Sequence, residues 1–441
     1  KEAIVSPPSR HQPVAILAQG PISVQSFCSS PRSLCIMSEA VGPVVGKDGT
    51  YHLPFPILAL AGTGGSVFLT AGGGGASASK EVPNVVQAHT YDEETGKFNT
   101  IASLNTGKRV VVRMTYSSEV GIWLASLGKG CMALKLDEEA NQLTELCEWD
   151  TEAAGKEPEQ NIAKFSPDAA TIVTGGTDGI LQLWKAGELK VPPTLLRKCG
   201  EKTKEIRDAD FSGDGRFLAC CDETGNVRLW DLEEDEQSKG VVISYTSSSF
   251  KVKLFTKFVT FVQGDGGKPA LILSASGARG PAVVGMFGID GVKLFEAVVD
   301  KAEPLKSVGL DAFCGRFVVG TVSGAKYVYS LPKLTLVKKG APVHSLPSQA
   351  VMLLGANTAV SVSGDRSIHF LNCEGGPFCL STFALAVYLL AVLAAVLLLY
   401  FFLPPSLLEL SPSQADEAKA ALDAARKVAR SVAAELGEGE L

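Results

Sequence analysis

Histidine and aromatic residues are scarce in this chain. Aromatics make up 7% of its 441 residues, and the five histidines, His11, His52, His89, His344 and His369, are scattered without ligand spacing. No Cys-x-x-Cys pair accompanies them, so a zinc centre is not expected. The sequence also lacks a Walker loop, a nucleophile elbow and a zinc-protease helix motif, so nothing points to covalent catalysis. Basic charge is not in excess either. A formal charge of -6 gives no broad cationic surface of the kind that neutralises nucleic-acid phosphates, which argues against DNA or RNA binding. None of the eight asparagines before residue 380 opens an N-x-Ser/Thr sequon, and no apolar signal region precedes the bulk of the chain. The ten cysteines are irregularly spaced, as in reduced cytosolic packing, so the large N-terminal part is expected on the cytosolic side.

The chain does contain turn formers and a repeat. It has 45 glycines and 23 prolines, which suit short strands joined by tight turns, and its length calls for several domains or one repetitive domain. Residues 166–184 (SPDAATIVTGGTDGILQLW) overlay residues 212–230 (SGDGRFLACCDETGNVRLW), matching Ser166 with Ser212, Asp168 with Asp214, Gly179 with Gly225 and Trp184 with Trp230. The resulting period of 46 residues belongs to propeller blades. Each copy reads as an apolar strand, a polar turn and an alternating strand whose Leu and Trp enter the packing between blades. Weaker copies occur at 320–330 and 362–371, while only Trp230-Asp231 keeps the terminal Trp-Asp dipeptide. The expected fold is all-β: a seven-bladed WD-repeat β-propeller over 53–374, with blades near 53–103, 106–149, 158–195, 203–247, 251–300, 304–340 and 343–374. The acidic run Asp231, Glu233, Glu234, Asp235 and Glu236 reads as a solvated turn.

The flanks differ in character. Residues 1–52 mix Ser, Pro and Gly without periodicity and are expected to be a disordered extension. Residues 380–403 form an uncharged apolar run long enough to span a bilayer as one transmembrane helix. One basic residue on each side, Arg366 and Lys419, leaves its orientation undecided by charge, so the cytosolic assignment of the N-terminal part makes 404–441 a short lumenal tail. Leu422, Ala425, Ala429, Val432 and Leu436 in that tail have helical spacing, open to a solvated or a dimerising helix.

One stretch stands apart from the repeat. Gly72, Gly73, Gly74 and Gly75 follow a strand-like segment and lead into Ala76, Ser77, Ala78, Ser79 and Lys80. Four glycines allow positive φ and let main-chain groups converge on an ion or lie against a partner. On the residues alone, a flexible hairpin loop and a functional loop are equally good readings.

This stretch, with Pro54-Phe55-Pro56 before it, the regular repeat TGGTDGILQLWK at 174–185, GTVSG at 320–324 and the apolar run near the C-terminus, resembles a known family. It is that of the endoplasmic-reticulum guanine-nucleotide exchange factors for the Sar-type GTPase of COPII coats, the prolactin regulatory element-binding protein-like family. The likeness covers about residues 53–403. It implies a single-pass endoplasmic-reticulum membrane protein with a cytosolic propeller, a Sar-type small GTPase as partner and COPII components nearby. It further implies a GTPase-contacting loop made of Gly72, Gly73, Gly74, Gly75, Ser77, Ser79, Lys80 and Asn84, with a potassium ion held by main-chain oxygens of Gly74 and Gly75. Here Lys80-Glu81-Val82-Pro83-Asn84 lacks a glycine and one residue of the family spacing. That departure keeps a second reading open, a membrane-bound trafficking adaptor or cargo-export factor without exchange activity.

Overall fold

The computed structural model describes residues 44–45, 50–151, 159–199, 204–233, 241–311, 315–355 and 357–373. Their strands form seven antiparallel sheets. Six are four-stranded and span 57–107, 113–150, 160–199, 206–244, 255–300 and 305–340. The seventh combines Ser348–Leu354, Thr358–Ser363 and Ser367–Asn372 with Tyr51–His52 and Val44–Val45. The innermost strand of each sheet packs on that of the next, and Ser348–Leu354 packs on Ile57–Gly62, so the ring closes. This is the expected seven-bladed propeller.

Blades three and four show why the repeat folds this way. In an extended strand neighbouring side chains face opposite sides, so Leu183 and Trp184 enter different layers. Trp184 packs with Leu124, Ala163 and Ile172 between blades two and three. Leu183 packs with Ile206, Phe211 and Trp230 between blades three and four. Leu229 and Trp230 repeat the division one blade later, with Leu229 among Phe261 and Leu271. Burying each such side chain is worth roughly 1.5–3 kcal/mol, and neither face of a lone blade could hide it.

The matched polar residues build the turns. Ser166 Oγ donates to Asp168 Oδ1 at 2.5 Å and accepts from Thr171 N at 3.0 Å, closing the hairpin between the first two strands of blade three. In blade four Ser212 bonds Asp214 in the same way and accepts from Phe217 N at 2.8 Å. At the opposite end of the sheets Asp178 accepts from Ile180 N at 2.8 Å, Asp222 from Thr224 N at 2.8 Å and Asp365 from Ser367 N at 3.0 Å. Each aspartate thus replaces a missing strand partner with its own carboxylate.

The N-terminal boundary needs correcting. Tyr51–His52 pairs with Ser367–Ile368 of the last blade, Val44–Val45 pairs with Tyr51–His52, and Leu53 N donates to Arg366 O at 2.9 Å. The last blade has only three strands of its own and takes its outer ones from residues placed in the disordered extension. Two-residue strands are too short to show an alternating pattern, and the requirement for them arises some 300 residues away. Tyr51 is held in the blade by Phe370 and Phe98, at ring-centroid distances of 5.5 and 5.0 Å. Among the described residues no helix is long and apolar enough to cross a membrane. The expected span at 380–403 and the helical tail lie outside the described residues.

Candidate functional site

In blade one the second strand, Val67–Gly72, and the third, Asn84–Asp92, are joined by a long excursion that contains the four glycines. Gly72 pairs with Ile57, the first residue of the innermost strand, so the excursion leaves the propeller on the face where the innermost strands begin. Packing dictates glycine at its base. A Cβ at Gly72 would lie 2.0 Å from Pro56 O. At Gly73, where φ is +138°, a Cβ would lie 2.3 Å from Pro83 O and 2.6 Å from Asn84 Cα. A side chain at Gly72 would push the loop off the start of the innermost strand, and one at Gly73 would force the two ends of the loop apart.

Asn84 fixes the path above the base. Its side chain is fully buried. Oδ1 accepts from Gly75 N at 2.9 Å, while Nδ2 donates to Gly75 O and to Gly107 O, both at 3.1 Å. One amide therefore satisfies both main-chain groups of Gly75 and ties the loop to the last strand of the blade. Beyond Gly75 a short 3-10 turn, Gly75–Ser77, is closed by Ser77 N to Gly74 O at 3.2 Å and Ala78 N to Gly75 O at 3.1 Å. Ser79 Oγ accepts from Glu81 N and Val82 N, both at 3.2 Å, and Ser79 N donates to Val82 O. Ala76, Ser77, Ser79, Lys80 and Glu81 are left exposed at the tip.

This arrangement divides the expected contact set. Ser77, Ser79 and Lys80 face solvent and can touch a partner, and Gly74 and Gly75 are partly buried beneath them. Gly72, Gly73 and Asn84 are buried, so they shape the loop and do not form its contact surface. Sequence reading also missed Gly107 and Pro56, whose carbonyls receive the loop, because main-chain acceptors leave no signature in residue type. The oxygens proposed for potassium are already in use. Gly75 O accepts from two donors, Ala78 N and Asn84 Nδ2, and Gly74 O accepts from Ser77 N. A carbonyl has two lone pairs, so Gly75 O has none left for a cation while Gly74 O keeps one, and the Asn84 amide cross-links the loop at Gly75 without an ion.

A second feature of blade one lies behind the loop. His89 pairs with Phe68, just as Trp184 pairs with Ile172 in blade three. Thr70, two residues after Phe68, bonds His89 Nε2 at 2.7 Å, and Thr174, two residues after Ile172, accepts from Trp184 Nε1 at 2.8 Å. His89 therefore takes the place of the blade tryptophan. Burial pushes its pKa down to about 3, leaving a neutral ring that stacks on Phe98.

The chain matches the family model of the WD domain, G-beta repeat, over residues 161–185 and 193–231, which lie in blades three and four. It is 30% identical over 211 residues to SEC12-like protein 1 of Arabidopsis thaliana, covering 44% of this chain and 48% of that protein. It is also 30% identical over 79 residues to Rik1-associated factor 1 of Schizosaccharomyces pombe, covering 18% of this chain and 12% of that protein. The chain thus spans about half the length of the first of these relatives and less of the second. Among solved structures it is similar to chains of "COPII on membranes, outer coat vertex" and "The structure of the COPII coat assembled on membranes". Each has a TM-score of 0.60 and 11% identity over 72% of this chain, covering 84% and 47% of the respective neighbour, a likeness of fold alone. The family resemblance read from the sequence is borne out by the SEC12-like relative.

Proposed function

We propose that this SEC12-related WD-repeat chain is a guanine-nucleotide exchange factor for a Sar-type small GTPase, acting at the endoplasmic-reticulum membrane to start COPII vesicle formation. The observation that carries this reading is the first-blade loop. It is the one inter-strand connection singled out by four consecutive glycines, and its buried, hydrogen-bonded base supports an exposed tip of Ser77, Ser79 and Lys80. A projecting tip on a preorganised base limits the entropy lost on binding, which suits a surface that must grip one state of a partner. The mechanism is linkage. A propeller that binds the nucleotide-free GTPase more tightly than the GDP-bound form must weaken GDP binding by the same factor, and abundant GTP then fills the emptied site. No bond is made or broken by the chain. The apolar run at 380–403, proposed as a single-pass anchor, would keep the propeller on the cytosolic face and make activation local.

A second reading keeps the membrane and COPII association without exchange. It is favoured by the shortened Lys80–Asn84 segment and by the fully occupied carbonyl of Gly75, one of the two where the family resemblance implied an ion. Binding of the full chain to a same-species Sar-type GTPase, nucleotide-free and GDP-loaded, separates the two. Exchange predicts roughly tenfold or greater preference for the nucleotide-free form, lost in Lys80→Glu. Equal affinity for both forms would leave the adaptor.

A further inference from the structure

Three cations converge where the central channel opens on the loop-bearing face. Arg207, Lys257 and Lys306 are the second, third and second residues of the innermost strands Ile206–Phe211, Phe255–Gln263 and Leu305–Asp311. Arg207 and Lys306 line a cavity of about 510 Å³ bounded by the innermost strands of all seven blades. The Lys257 ammonium extends towards the next blade and donates to Leu305 O at 3.2 Å, beside Lys306.

The carboxylates deeper in the channel are committed elsewhere. Asp208 pairs with Arg113 at 2.9 Å and accepts from Val259 N at 3.0 Å. Asp210 pairs with Lys164 at 2.5 Å and accepts from Phe261 N at 2.8 Å. Glu159 also lines the cavity, and Glu205 accepts from Asn161 Nδ2 at 3.1 Å, so the mouth is not free of acids. Neither forms an ion pair with the three cations among the described residues. Arg207 Nε is buried with no hydrogen-bond partner among the described residues. The Lys257 pKa is lowered by burial and then by repulsion from Arg207 and Lys306.

We propose that this mouth binds a small molecule carrying two or more phosphate groups. The Arg207 guanidinium and the Lys306 ammonium line the cavity and supply a fork and a point charge for clustered phosphate oxygens, with the Lys257 ammonium adjacent. A cavity of this volume admits a small ligand but not a folded partner. The site stands independently of the exchange reading, since it uses none of the loop residues.

The test is isothermal titration of the full chain with inorganic tripolyphosphate, with sulfate at matched ionic strength as reference. Two variants accompany it. Lys306→Gln removes an exposed cation of the mouth, and Lys198→Gln removes an exposed cation on an outer strand. The expected result is saturable one-to-one binding, stronger than to sulfate, weakened roughly tenfold by Lys306→Gln and unchanged by Lys198→Gln. Competition by a dioctanoyl phosphoinositide bisphosphate and by soluble inositol trisphosphate then distinguishes a lipid headgroup from a free ligand by which displaces at lower concentration. Absence of saturable binding, or equal weakening by both substitutions, would overturn the proposal.

Discussion

Blades one and four make the same turn between their second and third strands by different means. In blade four the chain goes from Asp222 to Asn226 directly, and one carboxylate oxygen, Asp222 Oδ1, receives Thr224 N, Thr224 Oγ1 and Asn226 N. In blade one the chain travels from Gly72 to Asn84, and a buried amide from the far end of the loop reaches back to hold Gly75. A short turn needs one local acceptor. A projecting loop needs glycine where its two ends touch and a cross-link that both donates and accepts, which a carboxylate cannot do. The extra length is therefore packed at its base and left bare at its tip.

Substitution at the base should break this comparison most strongly. Gly73→Ala combines positive φ with contacts of 2.3–2.6 Å to the returning strand and is expected to cost about 3 kcal/mol in chemical denaturation. Gly75→Ala, at φ +64° with open space around its Cβ, should cost only about 1 kcal/mol. Asn84→Ala removes the acceptor of Gly75 N and the side-chain donor to Gly75 O and Gly107 O, at about 2 kcal/mol, and should raise hydrogen exchange at the Gly75 amide.

The His-for-Trp exchange gives blade one a pH dependence of its own. With His89 held at about 3 when folded and near 6.5 when unfolded, the unfolded chain binds more protons between those values. Stability is therefore full above pH 6.5 and falls as pH drops towards 3, with about 2 kcal/mol lost at pH 5 through this group. His89→Gln should flatten that slope relative to the wild-type chain in denaturation at pH 5 and 7. His344 in the last blade, lowered to about 4 by burial and by Lys326, adds a similar slope common to both proteins.

Smaller effects sharpen the contrast. Asp222→Ala in the short turn should cost about 1 kcal/mol: Asp222 is buried, but the donors it releases belong to Thr224, which is half-buried, and Asn226, which is exposed, so water replaces part of what is lost. Lys80→Glu at the exposed tip should change stability by less than about 0.5 kcal/mol, so any loss of GTPase response reports contact and not folding.

The same contrast marks what could be read from the sequence. Blades three and four were legible because Ser, Asp, Gly and Trp recur at a fixed offset of 46, and Ser166 with Asp168 closes the same hairpin as Ser212 with Asp214. The four glycines were legible as a place where the backbone comes close, and Pro56 O and Pro83 O are what it approaches. Asn84 was read as a contact because residue type does not reveal which way an amide points. The outer strands of the last blade were missed because a two-residue strand carries no period and its partner lies at the far end of the propeller. Nothing in the sequence distinguished His89 from the other scattered histidines until strand register placed it opposite Phe68.

GDP release from a same-species Sar-type GTPase, followed by intrinsic tryptophan fluorescence with the full chain, tests the central claim most directly. Wild type, Lys80→Glu and Asn84→Ala are compared in potassium and in sodium buffer. The account predicts marked acceleration by wild type, equal in the two buffers because Asn84 and not an ion holds the loop, and loss of acceleration in both variants. No acceleration by folded wild-type protein, or acceleration undiminished by both substitutions, would contradict it.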